Sequence, residues 1–195
     1  MAYEIVVVGT SWGGLAAIRR LIAGLPSTFA LPMIIVQHRH RDSANLLTSL
    51  LQDHTALCVS DAEDKAPIVA GNVYLAPADY HLLVEHGQFS LSTEEAVFFS
   101  RPSIDVTFTS VADTYREHAA GVILTGANSD GAAGLRRIHD RGGLTFVQRP
   151  ETAESAIMPT AAKWAVPRAR VLSIPEISEA LAALPAAMIS RSAAT

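Results

Sequence analysis

The most informative stretch of this sequence is Ile5-Val6-Val7-Val8-Gly9-Thr10-Ser11-Trp12-Gly13-Gly14. Its β-branched run is typical of a buried strand, and the glycines that follow predict a tight turn. Apolar residues then recur at helical spacing from Gly14 to Leu25, which predicts a helix directly after the turn. A strand, a tight turn and a helix in this order form the first unit of a parallel α/β sheet.

The same alternation continues along the chain. Met33-Ile34-Ile35-Val36 predicts a second strand, and Ser43 is a suitable N-cap for a helix with one apolar face, formed by Leu46, Leu47, Leu50 and Leu51. Further strands are predicted at 72–77, 121–125, 144–147 and 171–173, and further helices at 103–118, 131–140, 155–164 and 175–184. Segments 82–84 and 89–92 flank a polar turn and predict a hairpin. We expect an α/β fold with an open, doubly wound, mostly parallel, Rossmann-like sheet, helices on both faces and an inserted β-hairpin.

The composition indicates a folded protein with one core. The chain has 195 residues, of which 49% are hydrophobic and 17% charged, so both faces of a sheet can be covered. We expect a single domain over residues 1–190 and a frayed tail at 191–195. The net charge of −4 provides no basic surface for nucleic acid or for an anionic membrane. Neither a signal peptide nor a membrane-spanning run is recognisable, which favours a cytoplasmic protein.

Cys58 is the only cysteine, which excludes an intrachain disulfide and a multi-cysteine metal site. It lies in the apolar segment Ala56-Leu57-Cys58-Val59 and is predicted to be a small buried residue. We predict neither a metal ion nor a cofactor for this chain.

Ser11 lies in the glycine-rich turn between the first strand and the first helix. A serine at such a corner is exposed at the sheet edge, where backbone N–H groups and the positive helix end can stabilise an oxyanion. The position suits a nucleophile. Glycine-rich turns after a first strand also bind phosphate, so a nucleotide-binding module is an alternative.

The second strand ends in Gln37-His38-Arg39-His40. An NAD site would place an acid here for the ribose hydroxyls, and none is present, although Arg39 could bind the 2′-phosphate of NADP. His38 directly follows the strand and can act as a general base beside Ser11, because a neutral imidazole titrates near working pH. We expect His40 to face outward.

Asp130 follows another core strand and precedes a helix. A carboxylate at this sheet edge can orient the imidazole of His38 and favour the imidazolium ion as it forms. An aspartate in this place is also a common helix N-cap, which is the alternative interpretation. The three side chains would form a triad in the order Ser, His, Asp, which is acceptable because triads are recognised by geometry and not by sequence order.

Together these segments resemble the catalytic domain of the chemoreceptor glutamate methylesterases, the CheB family, over nearly the whole chain. Besides the serine loop, the matching blocks are Val36-Gln37-His38, Gly71-Asn72-Val73-Tyr74-Leu75-Ala76-Pro77, Arg101-Pro102-Ser103-Ile104-Asp105, Leu124-Thr125-Gly126 with Asp130-Gly131-Ala132, and Met158-Pro159. The resemblance implies that Ser11 is the nucleophile, His38 the base and Asp130 the orienting acid. It also implies hydrolysis of γ-glutamyl methyl esters on the cytoplasmic helices of methylated chemoreceptors to glutamate and methanol. Many members also deamidate receptor glutamines.

The resemblance suggests further roles and some departures from the family. The backbone N–H of Trp12 could donate to the oxyanion, and Arg101 could steer an acidic receptor helix. Ala127 and Asn128 stand where members usually carry methionine and glycine, so the fit of the substrate is expected to differ. Asn128 would tolerate a left-handed backbone there. Thr10 and Trp12 replace smaller residues at the pocket mouth.

Regulated members of the family carry an N-terminal receiver domain that covers the active site. Here the first strand begins a few residues after Met1, so we expect no gating of that kind in cis. The chain would be a free-standing methylesterase or part of a larger polypeptide. Besides the nucleotide-binding module, the alternative is a non-catalytic relative that acts as an interaction domain.

Overall fold

The structure is a computed structural model that describes residues 2–38, 46–97 and 100–187. The strands are β1 (Ile5–Thr10), β2 (Met33–Gln37), β3 (Cys58–Asp61), β4 (Asn72–Leu75), β5 (His81–Glu85), β6 (Gln88–Ser92), β7 (Ala119–Ile123), β8 (Leu144–Gln148) and β9 (Arg170–Leu172). The helices are α1 (Gly14–Ala23), α2 (Leu47–Gln52), α3 (Ile104–Tyr115), α4 (Ala132–Asp140), α5 (Ile157–Ala165) and α6 (Ile174–Ala182). Predictions for Arg39, His40, Ser43 and the tail at 191–195 lie outside the described residues.

Seven strands form one parallel sheet in the order β3-β4-β2-β1-β7-β8-β9. The chain runs from β1 through β2 to the edge strand β3, inserts β4 between β3 and β2, and then crosses to the other side of β1 with β7. The order therefore reverses beside β1, and in open α/β sheets ligands bind at such a switch point, beyond the carboxyl ends of the strands. The predicted Rossmann-like, mostly parallel sheet is confirmed.

Helices cover both faces of the sheet, as expected for a doubly wound fold. In β1, Ile5 and Val7 point to the core shared with α3, α4 and α5, whereas Val6 and Val8 point to the core shared with α1 and α6. All four side chains are completely buried. Each contributes about 1.5–3 kcal/mol when removed from water, so β1 is anchored on both faces.

The predicted hairpin is also confirmed. β5 and β6 pair antiparallel as a separate two-stranded sheet, which packs on α3. Two α3 hydroxyls fix this contact, because Thr107 donates to the Leu82 carbonyl at 2.8 Å and Ser110 accepts from the Val84 N–H at 3.0 Å.

Three details differ from the sequence predictions, the first being the short strand β3, which was not predicted. Cys58 is exposed, and the prediction of a buried thiol is wrong because the residue opens the edge strand β3. The apolar face predicted for α2 is also incorrect: Leu51 is buried, but Leu46 and Leu50 are exposed. None of the helices in the described ranges has the length and apolar character needed to cross a bilayer.

Candidate active site

The loops that carry Ser11, His38 and Asp130 leave the carboxyl ends of three adjacent strands, β1, β2 and β7. Backbone bonds tie these loops together: the His38 N–H donates to the Thr10 carbonyl at 3.1 Å, and the Ser11 N–H donates to the Thr125 carbonyl at 2.9 Å. The three predicted residues thus share one edge of the sheet, at the switch point.

The structure brings His38 and Asp130 into direct contact. Nε2 of His38 lies 2.7 Å from Oδ2 of Asp130, and the side chains are 10% and 0% exposed. Because a carboxylate only accepts hydrogen bonds, Nε2 carries the proton and Nδ1 is left as the acceptor. The Ser100 hydroxyl lies 3.3 Å from Nδ1. The basic nitrogen of this histidine is therefore Nδ1, on the ring side away from Asp130.

Ser11 and His38 are not hydrogen-bonded to each other within the described ranges. The Ser11 main chain is firmly held, since its carbonyl accepts from Gln37 Nε2 at 2.9 Å and from the Gly14 N–H at 2.9 Å. The structure thus pairs two of the three predicted residues and holds the third on the neighbouring strand end. Catalytic bonds are often long without substrate and tighten when it binds.

The Asp130 side chain packs against the N-terminal end of α3, although the residue itself precedes α4 in the sequence. Its carboxylate accepts from the Ser103 hydroxyl at 3.0 Å, the Ile104 N–H at 2.7 Å and the Asp105 N–H at 2.9 Å. Burial alone would raise the pKa of this carboxyl, but the bonds from His38 and from the Asp105 and Ile104 amides outweigh burial and hold the pKa below its usual range. Asp130 therefore stays charged opposite His38.

The interpretation of Asp130 as the N-cap of the helix that it precedes is wrong, because its carboxylate binds the amides at the N-terminal end of α3 instead. The N-cap of α4 is Gly131, and the first turn of this helix is bound by Asp105, whose Oδ1 accepts from the Gly134 N–H at 2.6 Å. Gly131 has φ +93°, and a Cβ there would lie 2.6 Å from Cγ2 of Ile104. This glycine lets the chain turn from Asp130 into α4 against the first residue of α3.

The turn after Ser11 leaves one amide open. The Trp12 carbonyl accepts from the Thr125 hydroxyl at 2.9 Å, but no acceptor in the described ranges bonds its N–H. Gly13 follows with φ +76° as the N-cap of α1. The Trp12 amide thus lies at the positive end of a helix, next to Ser11, and the residue as a whole is 66% exposed.

Gln37 connects the serine and histidine loops. Its side-chain amide donates to the carbonyls of Ser11 and His38 at 2.9 and 3.0 Å. Its Oε1 atom is buried and has no hydrogen-bond partner in the described ranges. The residue lay inside a block recognised from the sequence, but a glutamine at the end of a strand gave no signal of this connecting role.

Arg101 is engaged within the chain. Its guanidinium donates to the Thr93 carbonyl at 2.8 Å, to the Glu94 carbonyl at 3.0 Å and to Oδ1 of Asp79 at 2.7 Å. The side chain is 25% exposed. These bonds give Arg101 a structural function, and its steering of a receptor helix stays a prediction.

Ala127 is exposed in the loop before Asp130. The side chain of the neighbouring Asn128 accepts from the Asp130 N–H at 3.2 Å. The backbone φ of Asn128 is not positive. The left-handed tolerance expected of Asn128 is therefore not used. Thr10 is buried and donates to the Thr125 carbonyl at 2.8 Å, so it connects the end of β1 to the segment after β7 and does not line the pocket mouth.

Two serines near the site were assigned no role from the sequence. Ser103 is the N-cap of α3 and binds Asp130. Its signal was available, since a serine directly before an apolar-periodic segment is a typical N-cap. Ser100 contacts His38 without any local pattern that would have predicted it. Among the described residues, no group of three or more His, Cys, Asp or Glu side chains is placed to hold a metal ion.

Comparisons with known proteins all identify the same family. The family model described as CheB methylesterase matches residues 6–181. A Leptospira interrogans protein named for protein-glutamate methylesterase and protein-glutamine glutaminase activities is 46% identical over 180 residues, which are 92% of this chain and 93% of the relative. A Carboxydothermus hydrogenoformans protein with both activities in its name is 36% identical, and the match covers 92% of this chain but 55% of that protein.

The solved structure of the Thermotoga maritima CheB methylesterase catalytic domain is similar as well. It superposes with a TM-score of 0.88 at 31% sequence identity and covers 93% of this chain and 98% of that domain. The chain therefore spans nearly all of the Leptospira relative and of this domain, but about half the length of the Carboxydothermus relative.

Proposed function

The chain belongs to the CheB methylesterase family, and we propose that it hydrolyses γ-glutamyl methyl esters on the cytoplasmic helices of methylated chemoreceptors, releasing methanol and glutamate. The proposal places the protein in the cytoplasm, where those helices lie. The names of the relatives also support deamidation of receptor glutamines, with ammonia in place of methanol as the leaving group.

The reaction proceeds through an acyl-enzyme. The Ser11 hydroxyl attacks the ester carbonyl carbon while Nδ1 of His38 takes its proton. The Trp12 N–H donates to the negative carbonyl oxygen. The C–O bond to the methoxy group then breaks, and the leaving group receives the proton from His38 and departs as methanol. Water attacks the acyl-enzyme with His38 again as the base, which releases glutamate and restores Ser11.

The contact between His38 and Asp130 carries the proposal. A buried carboxylate 2.7 Å from Nε2 fixes the imidazole tautomer and stabilises the imidazolium ion that forms in both steps. Because four hydrogen bonds hold the carboxylate, it is preorganised before substrate binds.

Ser100 provides a sharp test of the nucleophile, because its hydroxyl lies 3.3 Å from Nδ1 of His38 and Ser11 makes no such bond in the described ranges. We expect Ser11→Ala to abolish methanol release from methyl-labelled receptor, a loss of many orders of magnitude. Ser100→Ala is the matched control and should change the rate by less than about tenfold. Unchanged release from Ser11→Ala with complete loss in Ser100→Ala would transfer the role to Ser100 and refute the assignment.

A further inference from the structure

His81 is a buried histidine that the proposed reaction does not use. It is the first residue of β5 and is 1% exposed. Both of its ring nitrogens bind backbone: Nε2 lies 2.9 Å from the Glu95 carbonyl, and Nδ1 lies 3.2 Å from the Ser103 amide. The ring therefore bridges the segment after the hairpin and the beginning of α3.

The two partners fix the tautomer of His81. A carbonyl oxygen only accepts, so Nε2 must carry a proton, and a backbone N–H only donates, so Nδ1 must be unprotonated. The imidazole is therefore neutral, with Nδ1 as the acceptor. An additional proton on Nδ1 would face the Ser103 N–H, donor against donor.

The amide bound by His81 directly precedes the groups that hold Asp130. The Ser103 hydroxyl and the next two backbone amides, those of Ile104 and Asp105, all donate to the Asp130 carboxylate. The orientation of this single turn sets the position of the carboxylate, and the carboxylate sets the position of His38.

We infer that His81 is a positioning residue for the proposed hydrolysis: neutral Nδ1 holds the Ser103 amide so that the first turn of α3 presents its donors to Asp130. This inference rests on the proposed function. His81 is buried and its ring nitrogens bind only the backbone of Glu95 and Ser103 in the described ranges, so it acts through Ser103 and Asp130 on the imidazole of His38.

Two substitutions of His81 each keep one of the two hydrogen bonds that its imidazole makes and remove the other. In His81→Asn, the shorter side chain can place its carbonyl oxygen near the Nδ1 position and accept from Ser103, but it does not reach Glu95. In His81→Gln, the amide nitrogen can reach the Nε2 position and donate to Glu95, while the acceptor for Ser103 is lost. Equal thermal midpoints for the two variants establish that they are matched in stability.

The kinetic readout is methanol release from methyl-labelled receptor. We expect His81→Gln to lower kcat on the order of 10–100-fold with KM nearly unchanged, because a small displacement of a catalytic group has effects of that size. His81→Asn should stay within about fivefold of wild type, since the bond to Ser103 is kept. Equal losses in both variants, or the greater loss in His81→Asn, would overturn the inference.

A double substitution tests the route through Asp130. If His81 acts through this carboxylate, His81→Gln should have little further effect on kcat in the Asp130→Asn background, because the two changes remove the same contribution. The full loss in both backgrounds would contradict the inference and leave His81 with a packing role only.

Nuclear magnetic resonance without substrate separates this inference from the proposed function. The proton on Nε2 of His38, shifted downfield by the carboxylate bond, should persist in His81→Asn and move upfield or vanish in His81→Gln. If wild type releases no methanol, the proposed function fails while this resonance still decides the positioning role. If His81→Gln does not fold, nitrogen shifts of wild-type His81 that place the proton on Nδ1 overturn the inference.

Discussion

The Asp130 carboxylate makes four hydrogen bonds and has no exposed side-chain surface. Each bond comes from a donor, so the site requires an acceptor on both oxygens. Asparagine has the same size but would place an NH₂ group toward His38 Nε2–H or toward the amides of α3. A buried donor without an acceptor costs about 1–3 kcal/mol and also disturbs the imidazole.

We therefore expect Asp130→Asn to lower kcat by about 10⁴-fold, the size found when the equivalent change favours the wrong histidine tautomer in a serine protease triad. Methanol release from methyl-labelled receptor measures the effect, and circular dichroism verifies the fold. An effect below about tenfold would reduce Asp130 to a structural anchor of α3.

Candidate site residues that follow a local sequence pattern could be named from the sequence, whereas contacts that depend on the folded chain could not. Ser11, His38 and Asp130 each follow a strand, and parallel strands carry such residues to one edge. Ser100 contacts His38, which lies 62 positions away in the sequence, and His81 contacts Ser103, which lies 22 positions away. No local pattern encodes contacts over such distances. The choice of Nδ1 as the basic nitrogen likewise depends on which ring edge meets Asp130.

At the level of elements, the packing of α4 against α3 determines where the Asp130 carboxylate lies. Gly131 is the N-cap of α4 and directly follows Asp130. An alanine there would combine φ +93° with a Cβ 2.6 Å from Ile104 Cγ2. We expect Gly131→Ala to lower stability by about 1–3 kcal/mol and to lower kcat, because relief of the clash moves either Asp130 or α3.

Gly87→Ala is the matched control for Gly131→Ala. Gly87 also has a positive φ, +79°, but lies in the hairpin turn, and a Cβ there would meet nothing within 4 Å. This variant should lose only the backbone contribution, about 1 kcal/mol, with full activity. Equal activities for the two variants, measured by methanol release with chemical denaturation as the stability assay, would show that the clash with Ile104 is not transmitted to the site.

Asp105 connects α3 to α4 through its carboxylate, and the negative charge of this carboxylate is destabilised by its surroundings. Its Oδ1 accepts from the Gly134 N–H at 2.6 Å, but burial first and the nearby charge of Asp130 second raise its pKa above the usual 3.8. A raised pKa means that the folded state binds the proton more tightly than the unfolded state. Stability contributed by this group is therefore lost as pH rises from the ordinary pKa through the raised one.

Asp105→Asn keeps an acceptor for Gly134 and removes the charge. At pH 7 we expect this variant to unfold at a higher temperature than wild type, with a free energy of unfolding that is greater by less than about 1 kcal/mol. This difference should disappear in acid, below the usual pKa of aspartate. Asp113→Asn is the control with the opposite sign, because Arg137 and Arg141 overcome a burial effect and lower the pKa of Asp113. Thermal melts at several pH values measure both effects. A stability change of the same sign in the two variants at pH 7 would contradict the prediction.

The element pattern was largely predictable because periodicity is local. Six of the seven parallel strands, both helical layers and the hairpin follow from buried runs and turn residues. The short edge strand β3 was missed, since its four residues carry no alternation and its cysteine is exposed. Helix α2 was assigned the wrong apolar face, because the contacts that bury Leu51 and not Leu50 depend on neighbouring β3 and not on the helix itself.

At the level of the whole molecule, the surface around Ser11 determines which substrates reach it. Trp12 directly follows Ser11 and exposes 66% of its area, and such aromatic side chains often dominate protein contacts. We expect Trp12→Ala to raise KM for methylated receptor about tenfold, the effect of losing about 1.4 kcal/mol of binding. Trp164→Ala is the control, since Trp164 is 81% exposed near the end of α5. Initial-rate kinetics with receptor membranes measure both, and equal KM values for the two variants would contradict the prediction.

The central location of β1 also has a consequence for biogenesis. His38 comes from one side of this strand and Asp130 from the other, and the segments that deliver them are far apart in the chain. Neither segment can form the contact between His38 and Asp130 before the other has packed beside β1. Turnover by the proposed triad therefore requires the segments on both sides of β1 to be in place, and methanol release can serve as an assay for the assembly of the central sheet.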